Sequence, residues 1–304
     1  MSSSKYKLLA YIGLGVMTLI VGLSFIFVKI GLESSNTWDL LAHRFSAAFV
    51  AIAVLKLSGV IKTQRKSLRD WMPILGVSLL YPILCFAFQT LGLEHSTASY
   101  AGIIYALIPV FTLIGGSIFL KEKTSGLQKV GIAISVLGLI YISLRNTSGE
   151  QGQSPWGGIL LLLSVLSFVA YYMAGKKIMQ RHSSLGLTSA MITFGFIIFN
   201  LIAIVRHASN GSLAIFFEPM GKISFVYSVL YLGVLSSVVS SFLSNYALKY
   251  ISTANVSIFN NISPLISIVG GVVFLRETLY LAQIIGAILV LLGVIMVLGF
   301  KPKK

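Results

Sequence analysis

GGSIFLKEK at residues 115–123 and GGVVFLRET at residues 270–278 spell nearly the same thing twice. Each copy closes an apolar run on a cluster of charges. The stretches around them decide how the doubling is read. STASYAGIIYALIPVFTLIGGSIFLKEKTSGLQKVGIAISVLGLIYI (96–142) lies over STANVSIFNNISPLISIVGGVVFLRETLYLAQIIGAILVLLGVIMV (252–297). Ser-Thr-Ala matches at an offset of 156. Beyond a one-residue gap, Pro109 and Pro264, Gly115-Gly116 and Gly270-Gly271, and Glu122 and Glu277 match at 155, as do Gln128 and Gln283, Gly131 and Gly286, and Gly138 and Gly293. The chain is a duplicated unit.

Composition says where that unit lives. Of 304 residues 56% are hydrophobic and 10% are charged, whereas a soluble domain carries about 25% charged residues. A soluble core of this size could not dispose of so much apolar surface, so the class is integral membrane protein. The N-terminal MSSSKYKLLAYIGLGVMTLIVGLSFIFVKIGL starts basic, but its apolar segment is too long for a signal peptide and reads as a retained first transmembrane helix. The single cysteine, Cys85, excludes an internal disulfide. His43, His95, His182 and His207 are scattered without ligand spacing, so no metal and no cofactor are expected.

A helix crosses a bilayer core of about 30 Å with about 20 apolar residues. Spans are expected at 8–31, 37–57, 72–92, 97–120, 127–144, 157–178, 186–206, 223–247, 253–275 and 279–299. With the N-terminus inside, 17 of the 23 Lys and Arg fall in cytoplasmic segments, five in outer ones and Arg44 alone within a span. By the positive-inside rule both termini are cytoplasmic, in the plasma membrane. This bias accounts for the net charge of +15 without nucleic acid, since no loop is long enough for a folded basic domain.

Ten spans in two copies give five each, and five is odd. The second copy therefore enters the membrane from the opposite side. The expected fold is an all-α membrane protein of ten helices, as two inverted five-helix repeats (1–149 and 150–304) around a central cavity. Secondary transporters use this construction, rocking one repeat against the other around a midplane site.

The pattern resembles the drug/metabolite transporter superfamily, specifically a chain of two EamA-type domains. The resemblance rests on Ala42-His43-Arg44-Phe45 in the second span and the Pro–Gly-Gly–Leu-(Lys/Arg)-Glu ending of the fourth and ninth. It covers essentially the whole chain. It implies a ten-helix carrier with a cavity lined by spans 1, 3, 4, 6, 8 and 9, exporting amino acids or other small metabolites.

Polar side chains at bilayer depth face other helices or water. Tyr81, Cys85 and Gln89 recur every four residues, as do Ser237, Ser241 and Asn245, so each set shares a helical face. Gln89 and Asn245 are equivalent at an offset of 156. Solute binding and helix–helix hydrogen bonding both remain open for them. Pro109 and Pro264 free the carbonyls of Tyr105 and Asn260, also equivalent, so Tyr105, Asn260 and Asn261 are expected to line the cavity. One ring of Tyr171 and Tyr172 is expected there too, with Phe25 as counterpart. The glycine stripes of spans 5 and 10 read as scaffold.

Arg44, a lone intramembrane cation, should find a partner or reach water. Glu33, Asp39 or Glu94 are the expected partners, and Arg44 and His43 are expected to act in an outer gate or structurally rather than on solute. Glu122 and Glu277 sit at span ends, where capping or loop pairing is expected. No carboxylate falls at mid-membrane. The polar inventory, neutral apart from Arg44 and His43, favours a zwitterionic or neutral small-molecule metabolite over a polyanion, moved by a monomer or homodimer embedded in lipid. The alternative on the same fold is a lipid flippase. A membrane enzyme is disfavoured because Asp-x-x-Asp, His-Glu-x-x-His and Gly-x-Ser-x-Gly are all absent. No filter-like segment suggests a channel, and no nucleotide-binding loop suggests ATP driving.

Overall fold

A computed structural model describes residues 3–59, 68–119, 124–145, 154–181, 184–250, 259 and 262–299. Among the described residues the chain is helical, without strands. Nine helical stretches there are long and apolar enough to cross a membrane, and a shorter apolar helix covers Ser263–Leu275. The rest of the expected ninth span, like Glu122, lies outside the described residues.

In chain order the elements are α1 (Ser3–Leu32), α2 (Thr37–Leu57), α3 (Leu68–Ser78), a π-helical segment (Leu79–Leu84), α4 (Cys85–Glu94), α5 (Ala98–Tyr105) and α6 (Ile108–Phe119). Then come α7 (Gly126–Arg145), α8 (Pro155–Arg181), α9 (Ser184–Ser209) and a 3₁₀ segment (Leu213–Gly221). They are followed by α10 (Ile223–Leu230), a second π segment (Tyr231–Val239), α11 (Ser240–Tyr250), α12 (Ser263–Leu275) and α13 (Leu281–Gly299).

Local chemistry sets these boundaries. Asn36 caps α2, its Oδ1 accepting from the Trp38 and Asp39 amides at 3.0 and 3.1 Å, and Thr97 caps α5 through the Tyr100 amide at 3.1 Å. Ser125 and Gln128 form a reciprocal capping box at the start of α7. Gln283 reaches back to the Tyr280 amide in the same way at the start of α13. The matched glutamines of the two copies thus do the same job.

The breaks are equally local. Pro109 has no amide hydrogen for the Tyr105 carbonyl, and the chain leaves the helix just before it, as a turn at Ala106 and Leu107. Pro264 falls in the first turn of α12, where a missing donor costs nothing. In the third span Tyr81 is extended (φ −144°, ψ 120°) beside Pro82. The expected four-residue face of Tyr81, Cys85 and Gln89 is therefore not a continuous α-helical face. An offset of 156 carries 79–84 onto 235–240, overlapping the second π segment.

Lipid gives helices no hydrophobic reason to associate, so close backbone packing and polar contacts carry the assembly. The closest approach is between α7 and α13. A methyl group on Gly131 would lie 2.7 Å from the Gly293 carbonyl oxygen, and one on Gly138 would lie 2.9 Å from that of Gly286. Ser135 Oγ donates to the Val290 carbonyl between them at 3.2 Å. The two helices run antiparallel, each glycine meeting the partner of its equivalent. Elsewhere α2 packs on α9, α1 on α11 and α12, and α8 on α4, α5 and α6.

One end of the bundle, opposite the N-terminus, is knitted by charges. Lys29 Nζ donates to the Leu93 and Ser96 carbonyls at 3.0 Å each, where a cation suits the end of α4. Glu277 spans to the start of α5 and accepts from the Ala98 amide (2.7 Å), the Ser99 amide (2.8 Å) and the Ser99 hydroxyl (2.6 Å). The left-handed turn at Arg276 (φ 54°) aims that carboxylate. Thr37 Oγ1 donates to Glu94 at 2.7 Å, and His207 and Arg206 hold Asp39 at 2.9 and 3.7 Å.

Candidate functional site

Arg44 lies seven residues into α2, about 10 Å along the helix from its start. It is 1% exposed. Its Nε and Nη2 both reach one neutral acceptor, Ser237 Oγ, at a long 3.4 Å. Its guanidinium carbon stands 3.9 Å from the centre of the Phe86 ring and 5.9 Å from that of Phe45. Nη1 has no hydrogen-bond partner among the described residues. The titratable neighbours of the cation are Tyr81, Cys85 and Tyr105.

Magnitudes show that this cation is under-compensated. Burying an ion costs several kcal/mol even after relaxation. A desolvated cation–π contact returns about 2 kcal/mol, and two long bonds to a hydroxyl add little. The expected carboxylate partners are elsewhere, which corrects the sequence expectation. Asp39 is five residues from Arg44, or about 140° around the helix, and is taken by His207 and Arg206. Glu94 accepts from Thr37. Glu33 forms no ion pair with Arg44 among the described residues.

A hydroxyl network continues from there. Ser164 Oγ donates to the Cys85 carbonyl at 2.6 Å, which uses its only hydrogen. The Tyr105 hydroxyl is therefore the donor in the 2.5 Å Tyr105–Ser164 bond. Phe25 meets the Tyr105 ring edge-on at 4.9 Å. Tyr81 packs against Tyr171 (4.9 Å), Phe86 (5.1 Å) and Phe168 (5.5 Å). Side chains of α1, α2, the third span, α5, α8 and the eighth span thus meet in one aromatic and hydroxyl-rich centre.

The structure brings Tyr81, Tyr105 and Tyr171 together here. Gln89 is buried on α4, one turn beyond Cys85. Tyr172 is 46% exposed and borders the cluster through Phe168, with ring centres 5.5 Å apart. His43 Nε2–H donates to the Phe216 carbonyl at 2.9 Å and its ring stacks on Phe216 at 4.3 Å, pinning the 3₁₀ segment. Asn260 and Asn261 lie outside the described residues, as does the Asn245 side chain. Ser164 escaped sequence reasoning, because a serine in an apolar helix ordinarily bonds its own preceding turn and nothing local shows that it bonds across to Cys85.

The EamA-like transporter family model matches residues 8–144 and again residues 155–299. The chain belongs to the EamA-like transporter family. An uncharacterized transporter of Bacillus subtilis, YcxC, is 41% identical over 286 residues, covering 94% of this chain and 91% of the relative. A probable terminal-alkyne amino-acid exporter of Streptantibioticus cattleyicolor is 25% identical, covering 89% and 86%. A solved crystal structure of a protein aligns with a TM-score of 0.61 at 17% identity, over 97% of this chain and 96% of that one, and speaks for the fold alone. This EamA-like transporter is a multi-pass membrane protein.

Proposed function

We propose that the protein is an alternating-access secondary transporter that exports a small polar metabolite, an amino acid or a related zwitterionic or neutral compound. The observation that carries this reading is the polar centre, contributed by both family-matched segments: Arg44, Tyr81 and Tyr105 from one, Ser164, Tyr171 and Ser237 from the other. The architecture in this reading is ten spans in two inverted five-helix repeats (1–149 and 150–304), in the plasma membrane with both termini cytoplasmic. Its support is the exchange of contacts between α7 and α13. Gly131 meets Gly293 and Gly138 meets Gly286, while Ser135 meets its own equivalent, Val290. Two copies related by a two-fold axis across the helices make such contacts. The amino-acid class draws on the probable terminal-alkyne amino-acid exporter reported above and on a hydroxyl-rich lining that is neutral apart from Arg44.

A lipid flippase is the second reading. An apolar groove lined by Phe27, Tyr227, Leu230, Tyr231, Val234 and Leu235 offers such a protein a side entrance. The test is purified protein in liposomes loaded with amino acids, amines, nucleosides and sugars, with labelled lipid followed in parallel. Counterflow of an amino acid is expected. Lipid movement with counterflow of none of the solutes would overturn the first reading in favour of the second.

A further inference from the structure

Arg44 has a charge that no described acidic residue answers. Of the eight acidic residues, none falls in the interior of a span. Asp39, Glu94 and Glu277 are each occupied at the knitted end of the bundle. The guanidinium is instead held from one side only. Phe86 covers its face, and the Nε–Nη2 edge shares a single serine oxygen whose own hydrogen is committed to the Leu232 carbonyl at 2.8 Å. Nη1 is left over, buried, with nothing to donate to among the described residues. The chemistry that complements such a cation is an oxyanion, because two parallel N–H donors match a carboxylate's two oxygens.

We propose that Arg44 is the carboxylate ligand of the carrier. The solute's carboxylate takes Nη1 and Nη2, and the remainder of the solute lies against the Phe86 and Tyr81 rings and the Tyr105 hydroxyl. This inference rests on the transporter reading and narrows it: the solute carries a carboxylate, and a neutral analogue is discriminated against. Ser237 holds the guanidinium through Nε and Nη2 and is a positioning residue. The role goes beyond the structural or gating part that the sequence suggests for Arg44.

The test uses the full chain in detergent, with thermal shift as the binding readout. The probes are the standard L-amino acids, their carboxamides, their decarboxylated amines, and short-chain monocarboxylates. Inorganic phosphate and a short-chain phosphatidylglycerol serve as the phosphate-bearing arm. Those that shift wild type are carried into liposome counterflow. At least one carboxylate is expected to stabilise wild type, with its carboxamide and amine about ten- to a hundredfold weaker. Arg44→Gln should lose that discrimination and Arg44→Lys should keep part of it. If Arg44→Gln does not fold, the wild-type comparison of acid with carboxamide still decides. The proposal is overturned if the carboxamide binds as well as the acid, if Arg44→Gln binds the acid unchanged, if only the phosphate arm binds, or if no carboxylate stabilises wild type. Carboxylate binding through Arg44 without counterflow would leave this site standing and sink the transporter reading instead.

Discussion

Glu277 and Arg44 are both charged groups between helices, and they are treated in opposite ways. Glu277 has three donors aimed at its two oxygens, two of them amides at the start of α5. Arg44 has five N–H groups and, among the described residues, one weak neutral acceptor and an aromatic face. A charge with both oxygens answered by donors is part of the frame. A charge left short of partners is unstable where it stands, and its retention calls for a use outside folding. Glu277, in the second copy of the doubled motif, therefore belongs to the frame, and the unduplicated Arg44 to the chemistry.

The sharpest way to break this contrast is Glu277→Ala. It strands the Ala98 and Ser99 amides, and the loss should be on the order of 3 kcal/mol, seen as a fall of several degrees in the melting temperature of the purified protein. An unchanged midpoint would mean that Glu277 is not a frame residue. Next comes Arg44→Met, of similar length and without charge. Stability should hold or rise by about 1 kcal/mol, as when buried charges give way to apolar groups, while counterflow is lost. Parallel melting and counterflow assays check this, and a large fall in stability would put Arg44 in the frame with Glu277. Tyr105→Phe removes the donor to Ser164. A loss of about 1 kcal/mol or less is expected in the melt, with several-fold weaker solute binding by titration. Ser237→Ala should be the mildest, about 0.6 kcal/mol in the same melt.

How much of this the sequence carries differs between the two regions as well. The membrane class and the capping role of Glu277 are legible, because span length, charge spacing and a residue's place at a helix end are local properties. Pro109 likewise marks the break before Ile108. The centre was harder to read. A four-residue spacing presupposes an unbroken α-helix, and the extended Tyr81 violates it. Pro82 was the available signal there, since it denies a hydrogen bond to Ser78, but the π segment at Tyr231–Val239 contains no proline to announce it. The groups that hold the Arg44 guanidinium, Phe86 and Ser237, are 42 and 193 positions away in the chain. Which residue answers a buried charge at that separation is settled by packing, and the sequence points first to nearby acids that are taken by others.

Cys85 is the chain's one cysteine, and it sits within this centre, 2% exposed, with its sulfur 3.4 Å from Ser164 Oγ. It is thus a native reporter of whether the centre opens to water and holds solute. The measurement is the rate at which a small, membrane-impermeant methanethiosulfonate modifies Cys85 in liposomes, with and without the counterflowed solute. The account predicts modification of the folded protein, slowed by the solute in proportion to its binding. Modification only on unfolding, or at the same rate with saturating solute, would contradict it.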